Sequence, residues 1–117
     1  MFVIEDTANH DGLGLVELDV SAHGPSVGSV GYWLRRDARG RGAATLAVRL
    51  VASWAFDALG VQRLQLTTAP DNLSSQKVAE RAGFVREGLL RAWQPTASGR
   101  RDSVMFSLLP GELRDLG

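Results

Sequence analysis

The spacing of apolar residues changes once along this chain, and that change limits the folds open to it. Before residue 35 the pattern belongs to strands. Leu13, Leu15, Glu17 and Asp19 alternate with Gly14, Val16, Leu18 and Val20, a period of two that predicts a strand with one buried face. From Ala44 to Leu59 the period becomes three to four. Ala47, Leu50, Val51, Trp54, Ala55, Ala58 and Leu59 recur at helical spacing, and Gly60 supplies a C-cap. Between the two regimes lies Arg39-Gly40-Arg41-Gly42-Ala43-Ala44, and a further strand follows at Arg63 to Thr68. A strand, a glycine turn, a helix and a strand make a β-α-β unit, which requires a parallel pair joined by a right-handed crossover.

The rest of the chain frames this unit. Phe2-Val3-Ile4 and Val27 to Leu34 read as strands, so the first three strands form an antiparallel meander. Pro70-Asp71-Asn72 opens a second helix, with Asp71 or Asn72 as N-cap, running to about Ala82 and stopped by Gly83. Phe84 to Trp93 reads as a long strand, Pro95 to Arg100 as a turn region, and Ser103 to Leu109 as the last strand. The expected fold class is α/β with a mixed sheet, in the order β-β-β-α-β-α-β-β. The 117 residues suit a single domain, with no internal repeat.

Composition removes several functions. The chain has no cysteine, which excludes disulfides, thiolate metal sites and a cysteine nucleophile. Formal net charge is zero, so nothing argues for broad binding to nucleic acid or an anionic membrane. The first residues lack the basic and apolar regions of a signal peptide, and no apolar run reaches membrane-spanning length; a cytoplasmic protein is expected. Positive charge is nearly all arginine, and Lys77 is the one lysine.

The turn from Arg39 to Ala44 is the chemical feature of the chain. A helix N-terminus carries unpaired N–H groups and partial positive charge, and small residues let a pyrophosphate approach the backbone. Arg39 and Arg41 would add charge-assisted hydrogen bonds. A Walker A loop needs Gly-Lys-Ser/Thr, which is absent. A Rossmann fingerprint needs a third small residue where Thr45 stands, and it belongs early in a parallel series. An ordinary strand–helix turn fits the six residues alone equally well.

Four further motifs give the turn a context. Gly31-Tyr32-Trp33-Leu34 lies just ahead of it, and Ala55-Phe56 lies partway down the helix. Asn72-Leu73-Ser74-Ser75 is followed by Gly83-Phe84, and the chain ends with a strand carrying Arg101-Asp102. With Arg39 to Ala44 fitting the pattern Gln/Arg-x-x-Gly-x-Gly/Ala, the chain resembles the GNAT-superfamily N-acetyltransferases, in the ribosomal-protein alanine acetyltransferase (RimJ/RimL-like) branch. The resemblance runs from about Phe2 to Leu109. It implies the acyl-CoA N-acyltransferase fold, with acetyl-CoA as donor and a primary amine as acceptor. The family fold begins with a strand and two helices ahead of the first strand here, so an N-terminally shortened domain is expected.

The resemblance also implies roles. Trp33, Leu34, Arg39, Gly40, Arg41, Gly42, Ala43, Ala44, Thr45, Asn72 and Ser75 would bind the cofactor. Backbone N–H groups near Trp33 to Arg35, where two strands diverge, would hold the pantetheine and polarise the thioester carbonyl. Ser75 sits where this branch protonates the departing thiolate, and it equally suits a first-turn serine that satisfies the helix end. Asn72 suits an N-cap or a pantetheine partner. The family's usual glutamates are replaced by Ser29 and Leu46, which leaves Glu17 or Asp19 as general base acting through water, or simply as a solvated strand face. Tyr32, Trp54 and Trp93 are expected to pack, His10 and His23 to lie at the surface, and Asp102 either to hold the acceptor's ammonium or to cap a turn with Arg101. Two functions are open: an N-acetyltransferase for a protein N-terminus or a small amine, or a catalytically impaired CoA-binding module acting as sensor or partner domain. A homodimer that completes the acceptor wall is a third arrangement.

Overall fold

The computed structural model describes residues 2–5, 12–20, 26–34 and 42–113. Its elements follow the expected order: β1 (Phe2–Glu5), β2 (Gly12–Asp19), β3 (Val27–Leu34), α1 (Ala43–Leu59), β4 (Arg63–Thr68), α2 (Leu73–Ala82), β5 (Val85–Thr96) and β6 (Gly99–Leu108). The six strands form one sheet in the order β1-β2-β3-β4-β6-β5. Only β3 and β4 run parallel, and the other neighbours are antiparallel.

Both helices cover the same face of the sheet. That face carries Val16, Val30, Leu64, Leu66, Val104, Phe106 and Leu108, which form one core cluster with Ala44, Val48, Val51, Ala52 and Ala55 of α1 and Ala79 and Ala82 of α2. The alternation on β2 predicted this face: Gly14 and Val16 are buried, whereas Glu17 and Asp19 are exposed. The stripe on α1 differs from expectation. Leu50, Trp54 and Leu59 are exposed, and the side that faces the sheet is built from alanine and valine. A helix apolar on most of its surface offers two stripes, and the smaller side chains permit the closer approach. Trp54 and Trp93, expected to pack, are 46% and 40% exposed.

The second difference lies in the last hairpin. β5 continues through Pro95 to Thr96, and the turn is only Ala97-Ser98. β5 is an edge strand, where a residue without an N–H costs no ladder bond. An irregularity between Leu90 and Gln94 interrupts the pairing, with Ala92 at φ 51. Asp102 Oδ1 accepts from Ala92 N–H at 2.8 Å, and the Arg100 guanidinium donates to the carbonyls of Ala92 and Trp93. Asp102 therefore ties down this kink, while Arg101 pairs with Asp71 at 3.4 Å.

The face away from the helices carries a polar row. Gln65 Nε2 donates to Ser29 Oγ, Arg63 Nε donates to Gln65 Oε1, and Arg63 grips Glu87 with two bonds of 3.1 and 2.7 Å. Ser107 Oγ donates to the same carboxylate at 2.9 Å. Glu87 is the extra residue of a bulge between Arg86 and Gly88, which lets it reach across β6. The hydrogen bonds from Arg63 and then Ser107 hold its carboxyl down at about 2. A depressed carboxylate pKa contributes stability above the unfolded value of about 4.3 and loses it as pH falls towards 2. Glu87→Gln should therefore flatten the acid-side fall of the melting temperature between about pH 5 and pH 2. The pair is exposed and screened, so the effect is small. Superimposable acid profiles for variant and parent would refute this role.

Candidate active site

β3 and β4 pair at Val27↔Arg63, Gly28↔Leu64 and Ser29↔Gln65, and no further. Past Ser29 the edge of β3 that faces β4 has no ladder partner there, although its other edge stays paired with β2 as far as Leu34. The two strands part over the segment that carries Tyr32 and Trp33. A cavity of about 390 Å³ opens there. Tyr32 and Trp33 line it from β3, Gly42, Ala44 and Thr45 from the start of α1, and Asn72, Ser74, Ser75, Lys77, Val78 and Arg81 from α2.

The two helix starts that meet at this cavity differ. At α2 the end is capped from within: Asn72 Oδ1 accepts from the Ser75 amide and from Ser74 Oγ, each at 3.1 Å. Between the two cap candidates the structure selects Asn72. At α1 no side chain among the described residues caps the end. The first helical bond runs from Leu46 N–H to the Gly42 carbonyl, so the amides of Ala43, Ala44 and Thr45 precede the ladder. Gly42 takes φ 75, a left-handed conformation that glycine adopts at no steric cost. A Cβ placed there would meet nothing within 4 Å. The amides at the head of this 17-residue helix thus lie at the cavity that Gly42, Ala44 and Thr45 line, with no partner among the described residues.

Charge reinforces this end. Lys77 and Arg81 stand one turn apart on α2, and among the described residues that line the cavity there is no carboxylate. Such a site suits an elongated anion, with phosphate at the α1 amides and the cations alongside. The neutral part of the wall is Tyr32, Ser75 and Val78, where an uncharged chain would lie.

The expected site residues divide into three groups. Trp33, Gly42, Ala44, Thr45, Asn72 and Ser75 all line the cavity, and Ala43 sits between two lining residues. Leu34 ends β3 opposite Gly14. Arg39, Gly40, Arg41, Arg35, His10 and His23 lie outside the described residues, as does the side chain of Leu34. Glu17 is not brought into the cavity. It is exposed on β2 opposite Gly31, on the other face of the sheet from Tyr32. Ser74, Lys77, Val78 and Arg81 join the site without having been singled out. Their spacing of three, one and three is a helical stripe that starts beside Ser75, and that spacing was the available signal.

Tyr32 departs from simple packing. Its ring packs against the core, but its hydroxyl reaches the cavity wall and meets Ser75 Oγ at 2.5 Å and the Ser75 carbonyl at 3.0 Å. Burial pushes the phenol above its ordinary value, against the opposing pull of the Ser75 hydrogen bond. The chain contains one tyrosine, so an ultraviolet titration reads this group alone. Its midpoint should lie above the ordinary value of about 10, and a midpoint at or below it would contradict the burial.

A smaller recess of about 170 Å³ opens beyond the end of β4, lined by Thr67, Thr68, Ala69, Gln94, Arg101, Asp102 and Ser103. Among the described residues no helix is long and apolar enough to cross a membrane.

Comparison with known proteins agrees with this architecture. Residues 1–85 match the family model described as the acetyltransferase (GNAT) domain. The chain is 35% identical over 83 residues to a Bacillus subtilis (strain 168) protein named "Putative ribosomal N-acetyltransferase YdaF", a match covering 71% of this chain and 45% of that one. It superposes with a TM-score of 0.83 and 26% identity on the ribosomal-protein-S5-alanine acetyltransferase of Vibrio fischeri, covering 97% of this chain and 62% of that one. It superposes with a TM-score of 0.82 and 27% identity on Mycobacterium smegmatis RimJ, solved in complex with CoA-disulfide, covering 92% and 52%. The chain thus spans under half the length of the curated relatives and between about half and three fifths of these solved neighbours. With its strand order, its parted strands and residues 1–85 all in agreement, the chain belongs to the GNAT acetyltransferase family.

Proposed function

We propose that this chain binds acetyl-CoA in the cavity between α1 and α2 and transfers the acetyl group to a primary amine by direct attack. One observation carries the reading. The start of α1, which no described side chain caps, opens on a cavity flanked by Lys77 and Arg81, with no carboxylate among its described lining residues. The RimJ neighbour solved with CoA-disulfide supports the same ligand class. The sheet runs unbroken from β1 to β5, which supports treating residues 1–117 as one domain.

In this reading the α1 amides, joined by Arg39 and Arg41, take the pyrophosphate, while Lys77 and Arg81 neutralise phosphate nearby. The pantetheine lies along the unpaired edge of β3 beside Trp33 and Leu34, whose backbone N–H groups polarise the thioester carbonyl. Asn72, already committed as the N-cap, holds Ser75 in place. Ser75 gives a proton to the departing thiolate. Glu17, reaching the amine through water from the opposite face of the sheet, is the proposed general base. The acceptor is a protein N-terminus or a small amine. The S5-alanine and RimJ neighbours support the protein N-terminus.

The rival reading keeps the cofactor and drops the chemistry, because Glu17 lies outside the cavity. Thiol release from acetyl-CoA with a panel of amines separates the two. The chain contains no cysteine, so every thiol detected comes from CoA. Turnover with at least one amine is expected. Binding without turnover would leave the non-catalytic module, and failure to bind would sink both.

The phosphate end has its own test. Lys77→Glu and Arg81→Glu should each weaken CoA binding by about tenfold or more in a calorimetric titration, with little change in melting temperature. Gly42→Glu should abolish binding, whereas Gly42→Asn, which tolerates the left-handed backbone, should retain most of it. Equal affinities across these variants would move the phosphates elsewhere.

A further inference from the structure

The hydroxyls of Tyr32 and Ser75 form a two-member chain that ends at the cavity. Tyr32 Oη lies 2.5 Å from Ser75 Oγ and 3.0 Å from the Ser75 carbonyl oxygen. Two acceptors therefore compete for one phenolic hydrogen. With that hydrogen on the carbonyl, Ser75 donates to Tyr32 and offers the cavity only lone pairs. With the phenol turned to Ser75 Oγ, the serine hydrogen is displaced and points into the cavity. Rotation of one C–O bond thus switches Ser75 between acceptor and donor.

Acidity gives this geometry its use. A serine hydroxyl is about as weak an acid as water. A thiol ionises at about 8.5. Serine alone is a poor match for the thiolate it faces, and a phenol behind it narrows the gap. Resting on the acetyl-transfer reading above, we propose that Tyr32 is a positioning residue that acts through Ser75, turning the serine hydroxyl towards the leaving sulfur and returning a proton to it. As the C–S bond breaks, its electron pair goes to sulfur and the Ser75 proton follows. Ser75 Oγ takes the Tyr32 proton, and Tyr32 is reprotonated from solvent, which also receives the proton lost by the amine.

The surroundings suit the role. The Tyr32 ring is packed against the core and Ser75 is fixed by the Asn72 cap, so neither partner moves far. Burial keeps the phenol protonated through the neutral range.

The test compares the full chain with Tyr32→Phe, Ser75→Ala and the double variant. Tyr32→Phe should lower kcat at least about tenfold and leave the KM for acetyl-CoA within about threefold. The double variant should lie within about twofold of Ser75→Ala, because the two groups act in series. Biosynthetic replacement of the one tyrosine by difluorotyrosine, a more acidic phenol, keeps the ring and tests the proton directly. The substituted chain should acquire a high-pH limb in kcat that the native chain lacks below about pH 10. That result stands even where Tyr32→Phe fails to fold. Additive losses, a rise in KM alone, or an unmoved pH profile in an active enzyme would overturn the role of Tyr32 and leave acetyl transfer intact. A native chain that binds CoA and turns over no amine would overturn both.

Discussion

Strands β3 and β4 share three register pairs and then separate, and the site is arranged around that separation. A parallel pair in full register would consume the backbone groups of Val30 to Leu34 and bring α1 and α2 against the sheet without a gap. Here β3 stays paired with β2 as far as Leu34, so one edge is held while the edge towards β4 is left open past Ser29. The core maintains the separation. Phe106 and Leu108 on β6 bind β4 to the far half of the sheet, while Val16 and Val30 anchor β3 to the near half. The alanine-rich α1 packs on β1, β2 and β3, α2 packs on β4 and β5, and the two helices meet each other over the gap.

The contrast between the two helix starts follows from single residues. Asn72 spends its side chain on Ser75 and Ser74, which fixes the first turn of α2 as a wall. Gly42 has no side chain to offer, and its left-handed backbone leads the chain into α1 with the first amides uncapped by any described residue. The same fold unit, a helix beginning after a strand, thus serves once as a rigid support and once as a binding surface. Which it becomes depends on one position.

Much of this was legible in the chain. Period-two alternation marked the buried face of β2, glycines at 60 and 83 marked both helix ends, and Asn72 marked a cap. The α1 stripe was not legible, because a helix with leucine and tryptophan on one side and alanine and valine on another gives no unique face by periodicity. The last hairpin was misjudged for a related reason. Pro95 is a turn residue in isolation, and only the edge position of β5 makes it acceptable in a strand, while Gly99 opens β6 straight after the two-residue turn. Within the site, small and capping residues announced themselves. Lys77 and Arg81 did not, since charged residues on an exposed helix face look alike until the fold brings them to a cavity. The bond from Tyr32 to Ser75 spans 43 positions and has no local signal at all.

The central claim is that the cavity at the parted strands is where CoA binds, phosphates at α1 and pantetheine along β3. Amide hydrogen exchange with and without CoA tests it most directly, because it reports on the backbone groups themselves. Bound CoA should slow exchange at Ala43 to Leu46, at Trp33 and Leu34, and in the first turn of α2. The polar row from Ser29 to Ser107 on the opposite face should be unaffected. Protection confined to that opposite face, or none at saturating CoA, would contradict the account.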